Sequence, residues 1–409
     1  MARPTNALGS RELVLLMAAL TSLTAFSTDS VLPAMTALGA ELAPDNKNMT
    51  QLVVTSFLFG SGFGMLIFGP LADTIGRRRS LVVGVAIYIL ASLAASIAQN
   101  LEMLVALRLL AGIGAAAART VAQTVTRDLF SGAEQARVSS LIFMFFVLVP
   151  AVAPLIGQQI IWAVGWRGLF MAYVAFGLAT LAWFLMRQPE TLKPEFRRPF
   201  RLRPIFAAAI EVATNKVSSR YALVQILLFG QFIAYLSSAE QLFVDAIGVG
   251  DRFPIYFALV SVFSAGAGFL NARVVVRYGM RRMAALAFGL QVIVAGLAMV
   301  FFSIDALQPF SHTYRLSVFL IWSTVLFAIN GLTMGNIIAL AMEPLGHIAG
   351  TATAVLGALG MMAGLAIAVP VGMAFDGTPR PVITGAIICS SLAFLLVWTD
   401  LRSRARFTP

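Results

Sequence analysis

Charge is what this sequence has least of. Asp, Glu, Lys and Arg supply only 11% of its 409 residues, against roughly 25% in ordinary soluble domains, and that scarcity excludes a water-soluble globular protein. Cysteine is almost absent: Cys389 alone excludes a disulfide framework and a cysteine-based metal site. The two histidines, His312 and His347, share no metal-ligand spacing, so each reads as a surface residue and no metal is expected. No G-x-x-x-x-G-K-[ST] phosphate loop occurs, so the chain does not itself hydrolyse ATP. It also offers no nucleophile with its base and no aspartate-rich metal motif, so it is not expected to be an enzyme, and no catalytic residue or cofactor is assigned.

What fills the sequence instead is apolar: 59% of the residues are hydrophobic. A bilayer crossing takes about 20 mostly apolar residues, so roughly twelve crossings fit, with little left for an extramembrane domain. Runs separated by turn signals predict helices near 13–38, 49–72, 80–99, 101–126, 136–163, 168–186, 221–246, 254–275, 283–304, 314–341, 348–375 and 381–399. The first is too long for a signal-peptide core and lacks a cleavage site, so it is expected to be retained. The expected fold is all-α and integral to the membrane: twelve transmembrane helices in two pseudo-symmetric six-helix bundles.

The net charge of +11 does not point to nucleic acid, because the basic residues are placed asymmetrically. With both termini and every even-to-odd loop in the cytoplasm, 22 of the 29 Lys and Arg residues fall on that side, five fall outside, and Arg108 and Arg119 lie within helices. That bias is the signature of a multi-pass inner-membrane (plasma-membrane) protein with cytoplasmic termini. Residues 1–187 and 221–409 are the expected bundles. Between them, 188–220 is the expected cytoplasmic basic linker, with prolines at 189, 194, 199 and 204. Its Lys and Arg cluster either binds anionic lipid headgroups or merely anchors the topology. Gly-Arg-Arg-Arg at 76–79 and Gly-Met-Arg-Arg at 279–282 lie half a chain apart, a trace of the parallel repeat that puts a transport site between two bundles.

Ionisable residues inside a span cost about 2.5 to 3.5 kcal/mol on insertion scales, so they mark working sites. Asp29 in the first predicted helix and Arg108 in the fourth lie at similar depth, roughly 14 Å and 10 Å below the outer boundary at 1.5 Å per residue. Burial favours the protonated form of a carboxylate, whereas a neighbouring arginine favours the ionised form, so movement between the two settings makes a proton switch. Asp29 is expected to take and release the coupling proton and to contact substrate, while Arg108 tunes it or competes with substrate for it. The alternative is a fixed ion pair that orients two helices. In the seventh helix, Glu240 beside Gln241 and after Tyr235 is a candidate contact for a cationic or zwitterionic substrate, or else interfacial polarity. Arg119 is expected to snorkel.

Gly69-Pro-Leu-Ala-Asp73-Thr-Ile-Gly76-Arg77-Arg78-Arg79 resembles the G-x-L-x-D-x-x-G-R-R-R signature between helices 2 and 3 of the major facilitator superfamily. In physical terms Gly69 would allow close helix approach, Asp73 could meet the positive end of a helix, and Gly76 would permit a tight turn. The resemblance implies that Gly69, Asp73, Gly76, Arg77 and Arg78 form a cytoplasmic gate. Arg108-Leu-Leu-Ala-Gly112-Ile-Gly114 resembles the family's R-x-x-x-G-x-G element, associated there with proton transfer. Pro150-Ala-Val-Ala-Pro154-Leu-Ile-Gly157 resembles the antiporter signature of its exporters, with Ala153 where glycine is usual.

Thr28-Asp29-Ser-Val-Leu32-Pro33, Arg127-Asp128 and Trp166-Arg167-Gly-Leu-Phe170 are similar to the Bcr/CflA branch of drug:proton antiporters. That resemblance implies a proton-coupled exporter of small amphipathic molecules, working by alternating access with protons, a small-molecule substrate and membrane lipid as its partners, and functional as a monomer. The alternative within transport is a secondary transporter of a physiological metabolite, possibly an importer.

Overall fold

The computed structural model describes residues 9–405. The expectation for the two termini falls partly on residues 1–8 and 406–409, which lie outside the described residues. Every long element among those described is a helix: α1 (Ser10–Asp29), α2 (Met35–Leu42), α3 (Gln51–Ile75), α4 (Arg77–Ala95), α5 (Leu101–Leu129), α6 (Gly132–Arg187), α7 (Arg203–Thr214), α8 (Lys216–Gln241), α9 (Phe253–Tyr278), α10 (Met280–Leu307), α11 (His312–Met342), α12 (Ala349–Met373) and α13 (Arg380–Ala405). Apolar sequence of this length closes its backbone hydrogen bonds within the segment, as hydrocarbon requires.

Among the described residues eleven continuous segments are long and apolar enough to cross a membrane, and one of them, Arg137–Arg187, runs for 51 residues. At 1.5 Å per residue it would reach roughly 75 Å, more than twice the hydrocarbon thickness of about 30 Å. It is two spans. The chain breaks at Gly165, whose φ of 72° and ψ of 175° suit glycine. There Trp166 Nε1 donates to Glu41 Oε2 at 2.8 Å and Arg167 pairs with Glu41 Oε1 at 2.7 Å, fastening the kink to the end of α2. Twelve crossings result.

The first span, expected as one helix, is interrupted instead. α1 stops at Asp29, a 3-10 turn covers Leu32–Ala34, and α2 follows. Pro33 has no N–H to give the Asp29 carbonyl, so the regular ladder cannot pass that point. The seventh span also departs from expectation, since α8 ends in a π-helical turn, Leu242–Ile247, closed by Gly248 at φ 83°.

Contacts divide the chain into two units, residues 1–45 with 56–202, and residues 46–55 with 203–409. The division at 202/203 falls inside the expected linker, and the start of α3 groups with the second unit. The linker is not wholly irregular: α7 forms within it, because Ala208 and Val212, one turn apart, bury against α8 and α12. Inside the first unit α4 packs on α5 and α6, and α1 packs on the same two. Inside the second, α10 packs on α11 and α13, and α8 on α11 and α12. The same pairing scheme is thus used twice.

Close backbone approach holds the first unit together. A Cβ at Gly112 of α5 would run into the Phe57 carbonyl of α3, and one at Gly84 of α4 into the Ala117 methyl of α5. Small residues at such crossings let helices approach without a hydrophobic driving force between them. Gly112→Leu is therefore expected to destabilise the detergent-purified protein by about 1–3 kcal/mol or more. The check is thermal unfolding. Gly69→Leu is the contrast and should leave the midpoint unchanged, because open space stands where its Cβ would be.

Candidate functional site

α1 carries Asp29 at its last residue, where the helix gives way before Pro33, and α5 carries Arg108 on the face turned toward it. Both are buried, at 4% and 1% exposure. They do not form the direct ion pair that one reading of the sequence allowed. Arg108 Nη2 instead donates to the Ser27 carbonyl at 2.9 Å, two residues before Asp29. Its guanidinium lies 4.2 Å from the Phe57 ring centroid and 5.9 Å from that of Tyr173, within range of cation–π attraction. Among the described residues the Asp29 carboxylate makes no ion pair and no hydrogen bond, although its neighbours on both sides are fixed. Ser27 Oγ shares a 2.6 Å hydrogen bond with Tyr88 of α4. Ser30 Oγ lies within hydrogen-bond reach of the Phe26 carbonyl and shares a 2.9 Å hydrogen bond with the Tyr173 hydroxyl of α6.

The proline-rich element of α6 joins this cluster. Pro150 and Pro154 lie inside the helix, and Gly157 is packed so closely on the Ser30 carbonyl that a Cβ there would overlap it. Ala153, in the place where glycine is usual, is buried and lines a cavity of about 340 Å³ with Ser22, Phe26, Val149, Val152, Ile156, Ala172 and Phe176. That cavity is apolar and lies one turn and more from Asp29 along α1.

At the Arg-rich end of the same unit, the loop signature makes a charge cluster. Gly76 turns the chain at φ 98°. Arg77, its side chain 4% exposed, pairs with Asp73 at 2.5 Å and with Asp128 at 3.0 Å. Asp73 thus meets a guanidinium rather than a helix end. The carboxylate at the N-terminus of α4 is that of Glu190, which accepts the backbone N–H groups of Arg77 and Arg78 at 3.0 Å each. Arg78 donates to the carbonyls of Leu185 and Gln188. Gly69 makes no close helix approach; the space around it is open. Asp128 and Glu190 are members of this cluster that the sequence did not single out. Asp128 was visible only as part of Arg127-Asp128, and Glu190 as one of three acids in a basic linker.

The second unit holds Tyr235, Glu240 and Gln241, all on α8. Tyr235 is fully buried, its ring 5.6 Å from Trp322 and 5.5 Å from Phe327. Glu240 is 5% exposed, just before the π-helical turn that follows α8. The Gln241 amide is spent on neighbours, accepting from Gln51 Nε2 at 2.5 Å and donating to Asn48 Oδ1 at 3.0 Å. Gln51 also donates to the Gly372 carbonyl. Arg281, after Gly279 at φ 81°, pairs with Asp400 and Glu343 at 2.7 Å each, and Asp400 also takes Arg220 and the Tyr221 hydroxyl. Arg119 in the first unit is half-buried with its guanidinium 6.0 Å from the Phe146 ring, so it leans on a neighbouring helix. His347, exposed, lies 3.0 Å from the half-buried Glu211.

Twelve apolar crossings in two units built on one pairing scheme, with a carboxylate and a guanidinium sunk in the first, define a multi-pass membrane protein of the transporter type. The profile of the Major Facilitator Superfamily matches residues 14–369, and the chain belongs to that family. It is 28% identical over 396 residues to a bicyclomycin resistance protein homolog of Haemophilus influenzae, covering 96% of this chain and 97% of the relative. It is 27% identical to a chloramphenicol resistance protein of Pseudomonas aeruginosa, covering 96% and 91%. Among solved structures it is similar in fold to a D-xylose–proton symporter, with a TM-score of 0.72 at 18% identity over 95% of this chain and 97% of the other. A partially occluded inward-open form of the xylose transporter XylE from E. coli gives 0.71 at 14% identity, covering 95% and 97%.

The two carboxylates on Arg77 differ in exposure, 41% for Asp73 and 19% for Asp128. Solvent screens the more exposed pair, whereas a partly buried guanidinium that loses a partner is costly. Asp128→Asn is therefore expected to lower stability by about 1–3 kcal/mol and Asp73→Asn by less than about 1 kcal/mol. Thermal unfolding of the two variants in one detergent checks the order.

Proposed function

We propose that the chain is a proton-coupled exporter of small amphipathic molecules, working in the inner (plasma) membrane as a monomer with cytoplasmic termini. The observation that carries this reading is the Asp29 carboxylate, buried at the broken end of α1 with no side-chain partner among the described residues, in a shell tied to Arg108 through the Ser27 carbonyl. A buried carboxylate with no fixed cation is free to exchange a proton for a substrate's polar or cationic group. The relatives' names, resistance to bicyclomycin and chloramphenicol, support small drug-like cargo and the outward direction. The lysine and arginine bias of the loops supports the orientation.

In the proposed cycle the carrier opens its site alternately to the two sides of the membrane. A proton arriving from outside neutralises Asp29 and displaces substrate outward; release of that proton to the cytoplasm resets the carrier. Arg108 keeps its charge throughout and reaches the Asp29 segment through the Ser27 carbonyl. Tyr235 and Glu240 are the second unit's proposed contribution to substrate contact, with Gln241 held on Gln51 and Asn48 beside them. Asp73, Gly76, Arg77 and Arg78, with Asp128 and Glu190, form the cytoplasmic gate, and Pro150, Pro154 and Gly157 are the hinge element of α6.

If proton and substrate share Asp29, each must weaken the other's binding by the same factor. Purified protein in weakly buffered detergent should release protons when substrate is added. A screen of amphipathic antibiotics, read by binding from pH 5 to pH 9, should find affinity rising with pH as the proton leaves the carboxylate, about tenfold per 1.4 kcal/mol of coupling. Asp29→Asn should abolish proton release and flatten the pH dependence while the protein still inserts and purifies. Proton release that survives in Asp29→Asn refutes the assignment.

A further inference from the structure

α7, with the sequence RPIFAAAIEVAT, is apolar around almost its whole circumference. One face, Ala208 and Val212, is buried against α8 and α12. The opposite face carries Phe206 and Ile210, four residues apart and so stacked along the helix, each 64% exposed. Ala207 and Ala213 are exposed beside them. A helix that is apolar on all sides is normally covered on all sides, and protein covers only one side of this one.

The position of α7 identifies the other cover. Asn215 alone separates it from α8, a membrane span that begins at Lys216, and Asn215 caps that span by accepting the N–H groups of Val217 and Ser218. Glu211, the only acid in α7, is taken up by His347 of the short turn leading into α12, 3.0 Å away. α7 therefore sits at the mouth of two spans, at the level where a bilayer surface lies. The flanking charge has one sign: Arg201 and Arg203 precede the apolar face and Lys216 and Arg220 follow it, with Arg203 and Lys216 exposed. An apolar face flanked by Lys and Arg is the composition of a helix lying in the interface of an anionic leaflet.

We propose that α7 is an interfacial anchor, with Phe206 and Ile210 seated among the upper acyl carbons and Arg203 and Lys216 on the phosphates of anionic phospholipids. The surface it binds is lipid of defined charge, not a protein partner, and the assignment is independent of what the carrier transports.

The test places a single cysteine at Ile210→Cys in a Cys389→Ser background, labelled with an environment-sensitive fluorophore. The full chain is reconstituted into nanodiscs of phosphatidylcholine alone or of phosphatidylcholine with phosphatidylglycerol. Quenching by neutral acrylamide is expected to be at least about twofold weaker in the anionic discs. That difference should vanish at 1 M salt, where the screening length falls to about 3 Å. Arg203→Gln with Lys216→Gln should remove it too, while a label at Glu195→Cys should not respond to lipid charge. Backbone hydrogen exchange of 203–214 in the unlabelled protein should slow in the anionic discs in parallel. Equal quenching at 210 in both discs, whether strong as in open water or weak as under a protein cover, overturns the proposal.

Discussion

The guanidinium of Arg108 is the constraint around which the first unit is arranged. It cannot shed its charge at any physiological pH, and inside a bilayer that charge is expensive unless polar and π groups surround it. Three helices supply them: α1 gives the Ser27 carbonyl, α3 the face of Phe57 and α6 the ring of Tyr173. The supply depends on close packing. Gly112 stands one turn beyond Arg108 on the same face of α5, and its missing Cβ admits the Phe57 carbonyl. The residue whose backbone touches Gly112 is thus the one whose ring covers the guanidinium. Fold and site are set by one contact.

The two units solve the problem of an arginine-rich turn in related ways. Gly76 and Gly279 both adopt positive φ, at 98° and 81°, because the chain must leave one span and enter the next at once. After the turn the details differ. In the first unit Arg77 gathers Asp73 and Asp128, and Glu190 closes the start of α4. In the second, the position matching Arg77 is Met280, and Arg281 does the gathering, with Glu343 and Asp400. A repeat half a chain long has kept the geometry of the turn and moved the charge by one residue.

Much of this was legible before any coordinates. Span number followed from apolar length, the repeat from Gly76 and Gly279, and the place of Asp29 and Arg108 inside spans from their isolation among apolar neighbours. What the sequence concealed were the partners. Nothing in a one-dimensional pattern says that Arg108 binds a backbone carbonyl rather than the carboxylate two residues on, because carbonyls are everywhere. Glu190 was hidden for the opposite reason: an acid among the seven basic residues of the linker reads as charge balance, and only folding shows that it caps α4. The break in the first span was available in principle, since Pro33 removes the donor that the Asp29 carbonyl needs, but a long apolar run masks a one-turn interruption. The amide pair Gln51 and Gln241 lies 190 residues apart, beyond the reach of periodicity.

That break in α1 bears directly on how a proton could be felt at a distance. A carboxylate in the middle of a continuous helix changes its charge without disturbing the ladder around it. Asp29 is different, because it closes α1 and is flanked by two serines that are the attachment points of other helices. Ser27 holds Arg108 of α5 through its carbonyl and Tyr88 of α4 through its hydroxyl; Ser30 holds Tyr173 of α6 through its hydroxyl and meets Gly157 of α6 through its carbonyl. On the proposed function, a proton or a substrate arriving at Asp29 acts on a four-residue segment that touches three further helices at once. Small shifts at such a segment are amplified because packed helices have discrete arrangements rather than a continuum. The coupling group and the structural joint of the unit are then one segment of chain, Ser27 to Ser30.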